Sequence, residues 1–260
     1  MRRIPEAHAA LAFARRLVEI SSQLLGEGLL SVILHGSLTF DDYMPGQSDI
    51  DLLAIVDHAL SDSEIDSLTR AVTAERAQAP GPVDLRFVTR AVARRPPEPP
   101  PLELYIRLKA SAPPAVEVRC PEPDLVVELS ICRQHGHALH GAQPEELIGA
   151  LHPERVISVG DAQLARWQSL TDDAPYAALM VLTACRIWRF SETHTHSSKA
   201  TAGLWALERE PSLTAVRDAL LQRAGKVVAI APQEVSRVLA TARIATAAMR
   251  DEPPEPSSAR

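Results

Sequence analysis

Apolar and polar positions follow two different rhythms along this chain, and the rhythm changes near residue 150. Before that point it is mixed. Ala10, Leu11, Ala14, Leu17 and Val18 recur at helical spacing and predict an opening amphipathic helix. Leu30–His35 and Ile50–Val56 are short apolar runs that read as strands, and Val83–Val88 alternates like a third. Between the last two, Ser61-Asp62-Ser63-Glu64 has the form of a helix cap. Ile65, Leu68, Ala71 and Val72 come next at helical spacing, which predicts a helix over 61–78, broken by Pro80-Gly81-Pro82. The prolines at 96, 97, 99, 100 and 101 predict an extended surface loop. Pro113, Pro114, Pro121 and Pro123 bracket another extended segment around Val116–Val118. From Asp124, the positions of Leu125, Leu129 and Cys132 mark a helix expected to end near Gly141.

After residue 150 the strand signals stop. Helices are predicted over 158–170, 175–191, 199–209, 213–224 and 232–249, with Pro175 just inside the second and Asp172 or Asp173 as its cap. The expected organisation is an α/β catalytic half over 1–150, an all-helical half over 151–250 closing a cleft, and a disordered tail over 251–260. The chain shows no internal repeat.

Composition narrows the function classes. Hydrophobic residues make up 46% of the chain but aromatics only 4%, so Ala and aliphatic side chains must build the core. A net charge of −6 argues against a nucleic-acid surface, because phosphate backbones attract Lys and Arg. It fits a small or cationic partner better. Three widely spaced cysteines form neither a zinc pattern nor a disulfide framework, which predicts a reducing, cytoplasmic setting. No apolar run reaches membrane-spanning length, so no membrane association is expected. Met1-Arg2-Arg3 opens like a signal peptide, but Glu6, Arg15, Arg16 and Glu19 interrupt the apolar positions behind it.

The candidate chemistry centres on Gly36-Ser37 and Ser48-Asp49-Ile50-Asp51. Asp49 and Asp51 lie two apart at a strand start, so their side chains share a face roughly 6.5–7 Å apart along the backbone. That spacing suits one or two divalent cations, which stand about 3.5–4 Å apart in two-metal sites. The pair alone fits two solvated strand-end aspartates equally well. The Gly-Ser turn upstream tips it toward Mg²⁺ and a nucleoside triphosphate, because Gly36 lets backbone N–H groups approach phosphate and Ser37 adds a donor. Ser48 either contacts phosphate or caps the local backbone. Asp84 starts the next apolar strand, where a core-facing charge would be costly. On the cleft face it would bind metal or act as general base. Otherwise it is a turn residue after Gly81-Pro82. Arg86 shares its face and is a candidate partner.

In the second half, Lys199 follows Ser197-Ser198 at a helix start, where a cation opposes the helix dipole. The conflict disappears if lysine and helix terminus bind phosphate together; otherwise Lys199 is an exposed lysine without a role. Arg186, set in apolar Cys185–Trp188, needs a triphosphate or carboxylate partner if buried. The clusters His194/His196 and His135/His137/His140 read as polar surface, and Trp167, Trp188 and Trp205 as packing anchors.

The Gly-Ser…Asp-x-Asp pattern resembles the nucleotidyltransferases of the DNA polymerase β superfamily. With Asp124–His135 and its trailing His140-Gly141, Val181–Trp188 and Lys199–Arg209, it resembles the streptomycin/spectinomycin-type aminoglycoside adenylyltransferases. The resemblance implies an α+β fold: a polymerase β-like mixed sheet with flanking helices, then a C-terminal helical bundle. It implies Mg²⁺ on Asp49 and Asp51, and contacts to the ATP triphosphate from Ser37, Ser48, Arg186 and Lys199. The family has a glutamate at Asp84, thought to deprotonate the drug hydroxyl; the shorter aspartate would serve either as that base or as a third metal ligand. The family's drug-stacking tryptophan falls near Lys109, and its acidic drug contact near Tyr176 or Asp173. The expected activity is Mg-dependent AMP transfer from ATP to a hydroxyl of an aminoglycoside or aminocyclitol. The alternatives are another small-molecule or protein hydroxyl, a toxin–antitoxin-type partner protein, and a nucleotide binder without catalysis.

Overall fold

A computed structural model describes residues 3–251, with side chains from residue 6 to 248. The chain forms two compact units, Met1–Leu151 and His152–Arg260. Helix α1 (Arg3–Leu25) leads into β1 (Leu29–His35) and β2 (Ile50–Val56). Then come α2 (Asp62–Ala74), β3 (Val83–Thr89), the short α3 (Arg90–Arg94), β4 (Leu104–Lys109), β5 (Ala112–Val118), α4 (Leu125–His135), β6 (His137–Gly141) and the short α5 (Pro144–Leu147). The sheet order is β5-β4-β3-β2-β1-β6. Only β2 and β3 are parallel. A parallel pair needs a crossover, and α2 supplies it. Its start is fixed by a capping box, in which the Ser61 hydroxyl accepts from the Glu64 N–H and the Glu64 carboxylate accepts from the Ser61 N–H.

The central strands are apolar on both faces because both are covered. Leu52, Leu85 and Ile106 pack with Phe13 and Leu17 of α1 and Ile65, Leu68 and Val72 of α2. On the opposite face, Ile33, Leu53, Ile55 and Val88 pack with Leu125, Leu129 and Cys132 of α4. Helix α4 covers that face only in part. Where β1 ends and β2 begins, the apolar rows give way to charged ones.

Two elements differ from the sequence expectation. The helix expected to reach Gly141 stops at His135, and residues 137–141 form β6 beside β1. The left-handed Gly141 (φ +73°) lies so close to the Leu30 carbonyl that no side chain fits there. β4 is a further strand, between the two proline-rich stretches. Pro113 and Pro114 sit in β5, which lies at the sheet edge where missing N–H donors are tolerated.

The C-terminal unit comprises α6 (Pro153–Trp167), α7 (Ala177–Thr193), α8 (Lys199–Arg209), α9 (Thr214–Arg223) and α10 (Pro232–Asp251). α7 packs against the other four. Buried Ala184, Ala202, Ala206, Ala215, Ala219 and Ala242 let the helices approach closely, which suits an aromatic-poor chain. Trp188 and Trp205 meet edge to face at 5.1 Å between ring centroids. Neither Asp172 nor Asp173 caps α7. A 3₁₀ turn, Ala174–Tyr176, intervenes, and no side chain caps either start. His196 is buried and stacked on Phe190 at 4.3 Å, so it is not the surface residue expected. Among the described residues no helix is long and apolar enough to cross a membrane. Asp251 closes α10; the rest of the tail expected to be disordered lies outside the described residues.

Candidate active site in the N-terminal unit

Strand register builds the site. His35 of β1 pairs with Asp51 of β2, Asp51 with Asp84 of β3, and Asp84 with Arg107 of β4. Residues in register point to the same face, so the four side chains form one transverse row. The next row inward, Ile33–Leu53–Arg86–Tyr105, begins the apolar face. Asp49, two residues before Asp51, extends the acidic end. Glu128 reaches the row from α4, with its Oε2 3.3 Å from His35 Nδ1.

Asp84 is 7% exposed and is held on one oxygen. The Tyr105 hydroxyl donates to Oδ1 at 2.9 Å, and Arg107 Nε lies 3.3 Å from the same atom. Arg107 Nη2 reaches Asp49 Oδ2 at 3.5 Å. One guanidinium therefore bridges two of the three sequence-predicted acids. Arg86 is not the direct partner of Asp84. Its guanidinium lies 4.8 Å from the Tyr105 ring centroid, and its Nε and Nη1 are buried without a hydrogen-bond acceptor among the described residues.

These placements set the electrostatics. Burial pushes the Asp51 carboxyl well above the usual range, and the negative charges of Glu128, Asp84 and Asp49 push it further against the pull of Arg86. Burial also raises the Tyr105 hydroxyl, with Asp84 adding to it. For Arg86 and Arg107 burial opposes the charge, but the surrounding acids outweigh it and hold both guanidinium groups charged. Four carboxyl groups stand against two guanidinium groups, an imbalance that the raised Asp51 carboxyl partly relieves by holding its proton.

Gly36 and Ser37 form a 3₁₀ turn directly after β1. Gly36 is left-handed (φ +71°), and a methyl there would run into the Asp51 carboxylate. Glycine thus both makes the turn and leaves room for the acid. The Ser37 hydroxyl is buried without a hydrogen-bond partner among the described residues, as a group awaiting a ligand would be. The Ser48 hydroxyl accepts from the Met44 N–H at 3.0 Å and so closes the loop before β2, while its own O–H can still donate.

Lys109 ends β4, two residues beyond Arg107, and is half-buried. In the C-terminal unit, Lys199 is the first residue of α8, after Ser198, whose hydroxyl accepts from the Thr201 N–H. Arg186 is half-buried on α7, and Asp173 and Tyr176 are exposed before it. Sequence reasoning missed Glu128, Tyr105 and Arg107. Their signals were a lone charge in the apolar run of α4 and the alternation Leu104-Tyr105-Ile106-Arg107-Leu108.

A divalent cation suits this donor set. Asp49, Asp51 and Asp84 offer hard oxygen donors close together, and burial, with Glu128, Asp84 and Asp49 adding to it, raises the Asp51 carboxyl. Among the described residues no three His, Cys, Asp or Glu groups are already arranged to hold an ion. Arg107 stands against two of the acids.

Three comparisons bear on this geometry. Residues 147–250 match the family model described as "Aminoglycoside adenylyltransferase, C-terminal domain". Curated aminoglycoside (3'') (9) adenylyltransferases from Klebsiella pneumoniae and Escherichia coli are 34% identical over 89 residues, covering 34% of this chain and 34% of each relative. The chain thus spans about a third of the length of the curated relatives it matches. The crystal structure of spectinomycin adenyltransferase AAD(9) from Enterococcus faecialis, with ATP and spectinomycin, aligns at a TM-score of 0.71 and 17% identity. The alignment covers 90% of this chain and 99% of that one, so the two share one α+β fold.

Gly36→Ala forces a methyl onto Asp51 in a backbone conformation that costs about 1–2 kcal/mol for a non-glycine residue. Thermal unfolding should fall by several degrees; an unchanged midpoint contradicts this account of the turn. Asp51 binds its proton more tightly folded than unfolded. It therefore stabilises the fold below the ordinary carboxylate range and loses that contribution as pH rises through its folded value. In metal-free protein, Asp51→Asn should raise the unfolding midpoint, and by more at pH 8 than at pH 5. A pH-independent loss of stability contradicts the assignment.

Proposed function

We propose that this protein transfers AMP from Mg·ATP to a hydroxyl of a small molecule, with an aminoglycoside or aminocyclitol as the leading acceptor. The observation that carries the reading is the in-register row of Asp51 and Asp84 beside Asp49 and the Gly36-Ser37 turn. The aminoglycoside adenylyltransferase match over residues 147–250 supports the acceptor class.

Asp49 and Asp51 would hold Mg²⁺, with Asp84 close enough in register to join them. When bound, the ion would neutralise triphosphate charge and acidify the attacking hydroxyl. The chain supplies the rest. The Gly36-Ser37 turn offers a hydroxyl and backbone N–H groups to phosphate oxygens. Asp84, anchored through Oδ1 by Tyr105 and Arg107, keeps Oδ2 to accept the acceptor's proton or to bind the ion. Lys199 and Arg186 are the further phosphate contacts that the sequence resemblance implies. Transfer of AMP places bulk and negative charge on the acceptor, which is how such a modification would disable a drug.

One observation favours a non-drug acceptor as the second reading. Arg107 already occupies Asp49 and Asp84 at the open end of the row, so part of the acidic surface that a polycationic drug would use is neutralised by the chain itself.

Purified protein with labelled ATP, Mg²⁺ and an aminoglycoside panel should yield an adenylylated product with at least one member. ATP binding without product from any of them removes the drug acceptor and leaves the second reading. Asp84→Asn should lower kcat by at least about a hundredfold, the range of general-base removal; unchanged turnover shows Asp84 to be neither base nor ligand. Lys199→Ala should raise KM for ATP at least about tenfold, and an unchanged KM removes it from the phosphate site.

A further inference from the structure

The Arg107 guanidinium lies 3.3 Å from Asp84 Oδ1 and 3.5 Å from Asp49 Oδ2. Its side chain is 35% exposed, and that of Asp49 is 33% exposed, so the bridge lies at the open end of the row. A divalent ion ligated by Asp49 and Asp84 would need the same carboxylates at bonding distance. A guanidinium cannot yield by losing its proton, because arginine stays charged in proteins. It can only move. Left in place, it would face the ion at a separation where like charges repel strongly in a partly buried site.

We infer that Arg107 is a resident counter-cation of the acid row, which holds Asp49 and Asp84 together without metal and gives up at least one of them when a divalent ion enters. The inference rests on the proposed function, in which such an ion binds there. It adds that metal entry is an exchange of cations, not the filling of a vacant site. The rest of the row fits this role. Tyr105 donates to Asp84 independently, so Asp84 stays anchored after Arg107 leaves. Arg86 remains deeper as a fixed charge over the Tyr105 ring. Exchange keeps the acids from repelling one another in the empty state, at the cost of weaker metal affinity when no nucleotide is present.

The test is Mn²⁺ binding to full-length protein without nucleotide, monitored by the electron paramagnetic resonance signal of free Mn²⁺. Arg107→Gln should bind Mn²⁺ at least about tenfold more tightly than wild type, because the competing charge is gone. Arg107→Lys keeps the charge and should stay within about threefold of wild type. Arg90→Gln controls for the general field; Arg90 is an exposed cation paired with Asp57 at 2.6 Å, and its removal should change the affinity little. In wild type, the Arg107 Nε–H resonance should shift when diamagnetic Mg²⁺ is added. Equal Mn²⁺ affinity in wild type and Arg107→Gln, or equal tightening in Arg90→Gln, overturns the exchange while leaving the metal site standing. No Mn²⁺ uptake by any variant, with or without ATP, removes the metal site and the exchange together.

Discussion

Charge repulsion among carboxylates brought together by strand register is the constraint to which the rest of the N-terminal unit answers. Asp51 and Asp84 are neighbours because β2 and β3 run parallel in that register, and a shift by one residue would turn both toward α1 and α2. The register is fixed by apolar burial on both faces, with Leu52, Ala54 and Val56 on one and Leu53 and Ile55 on the other. Several kcal/mol of apolar burial thus hold in place an arrangement that the acids alone would push apart. The arginines, the histidine and the Tyr105 hydroxyl offset that repulsion only in part.

The sequence made some of this legible and hid the rest for physical reasons. Asp49, Asp51, Gly36 and Ser37 stood out because local spacing alone brings them together: i, i+2 on a strand, and a glycine at a turn. Asp84 could be found because its strand alternates. Tyr105, Arg107 and Glu128 depend on pairing between segments distant in sequence, which no local period encodes. β4 was obscured by the prolines on either side of it. β6 was too short and too polar to show, since His137-Ala-Leu-His-Gly141 carries little burial of its own. The helices of the C-terminal unit were legible because α-helical period is local. Their starts were less so where Pro175 produced a 3₁₀ turn in place of a first helical turn.

The pairing between Asp84 and its partners shows why sharing a face is a weaker predictor than register. Arg86 lies two residues from Asp84 on the same strand, a backbone separation near about 7 Å. Arg107 lies directly across, at about 5 Å between Cβ atoms. The shorter cross-strand distance wins, and Arg86 turns to the Tyr105 ring.

That outcome also separates two parts of the chemistry. In the proposed reaction, nucleotide handling falls to the acids of the row and to the Gly36-Ser37 turn beside it. Acceptor choice depends on what stands beside the row. Here β4 places Arg107 against the acids and ends at Lys109, near where the sequence resemblance puts an aromatic platform. A lysine offers no stacking surface and repels cations, while the Tyr105 ring that could stack is already covered by Arg86.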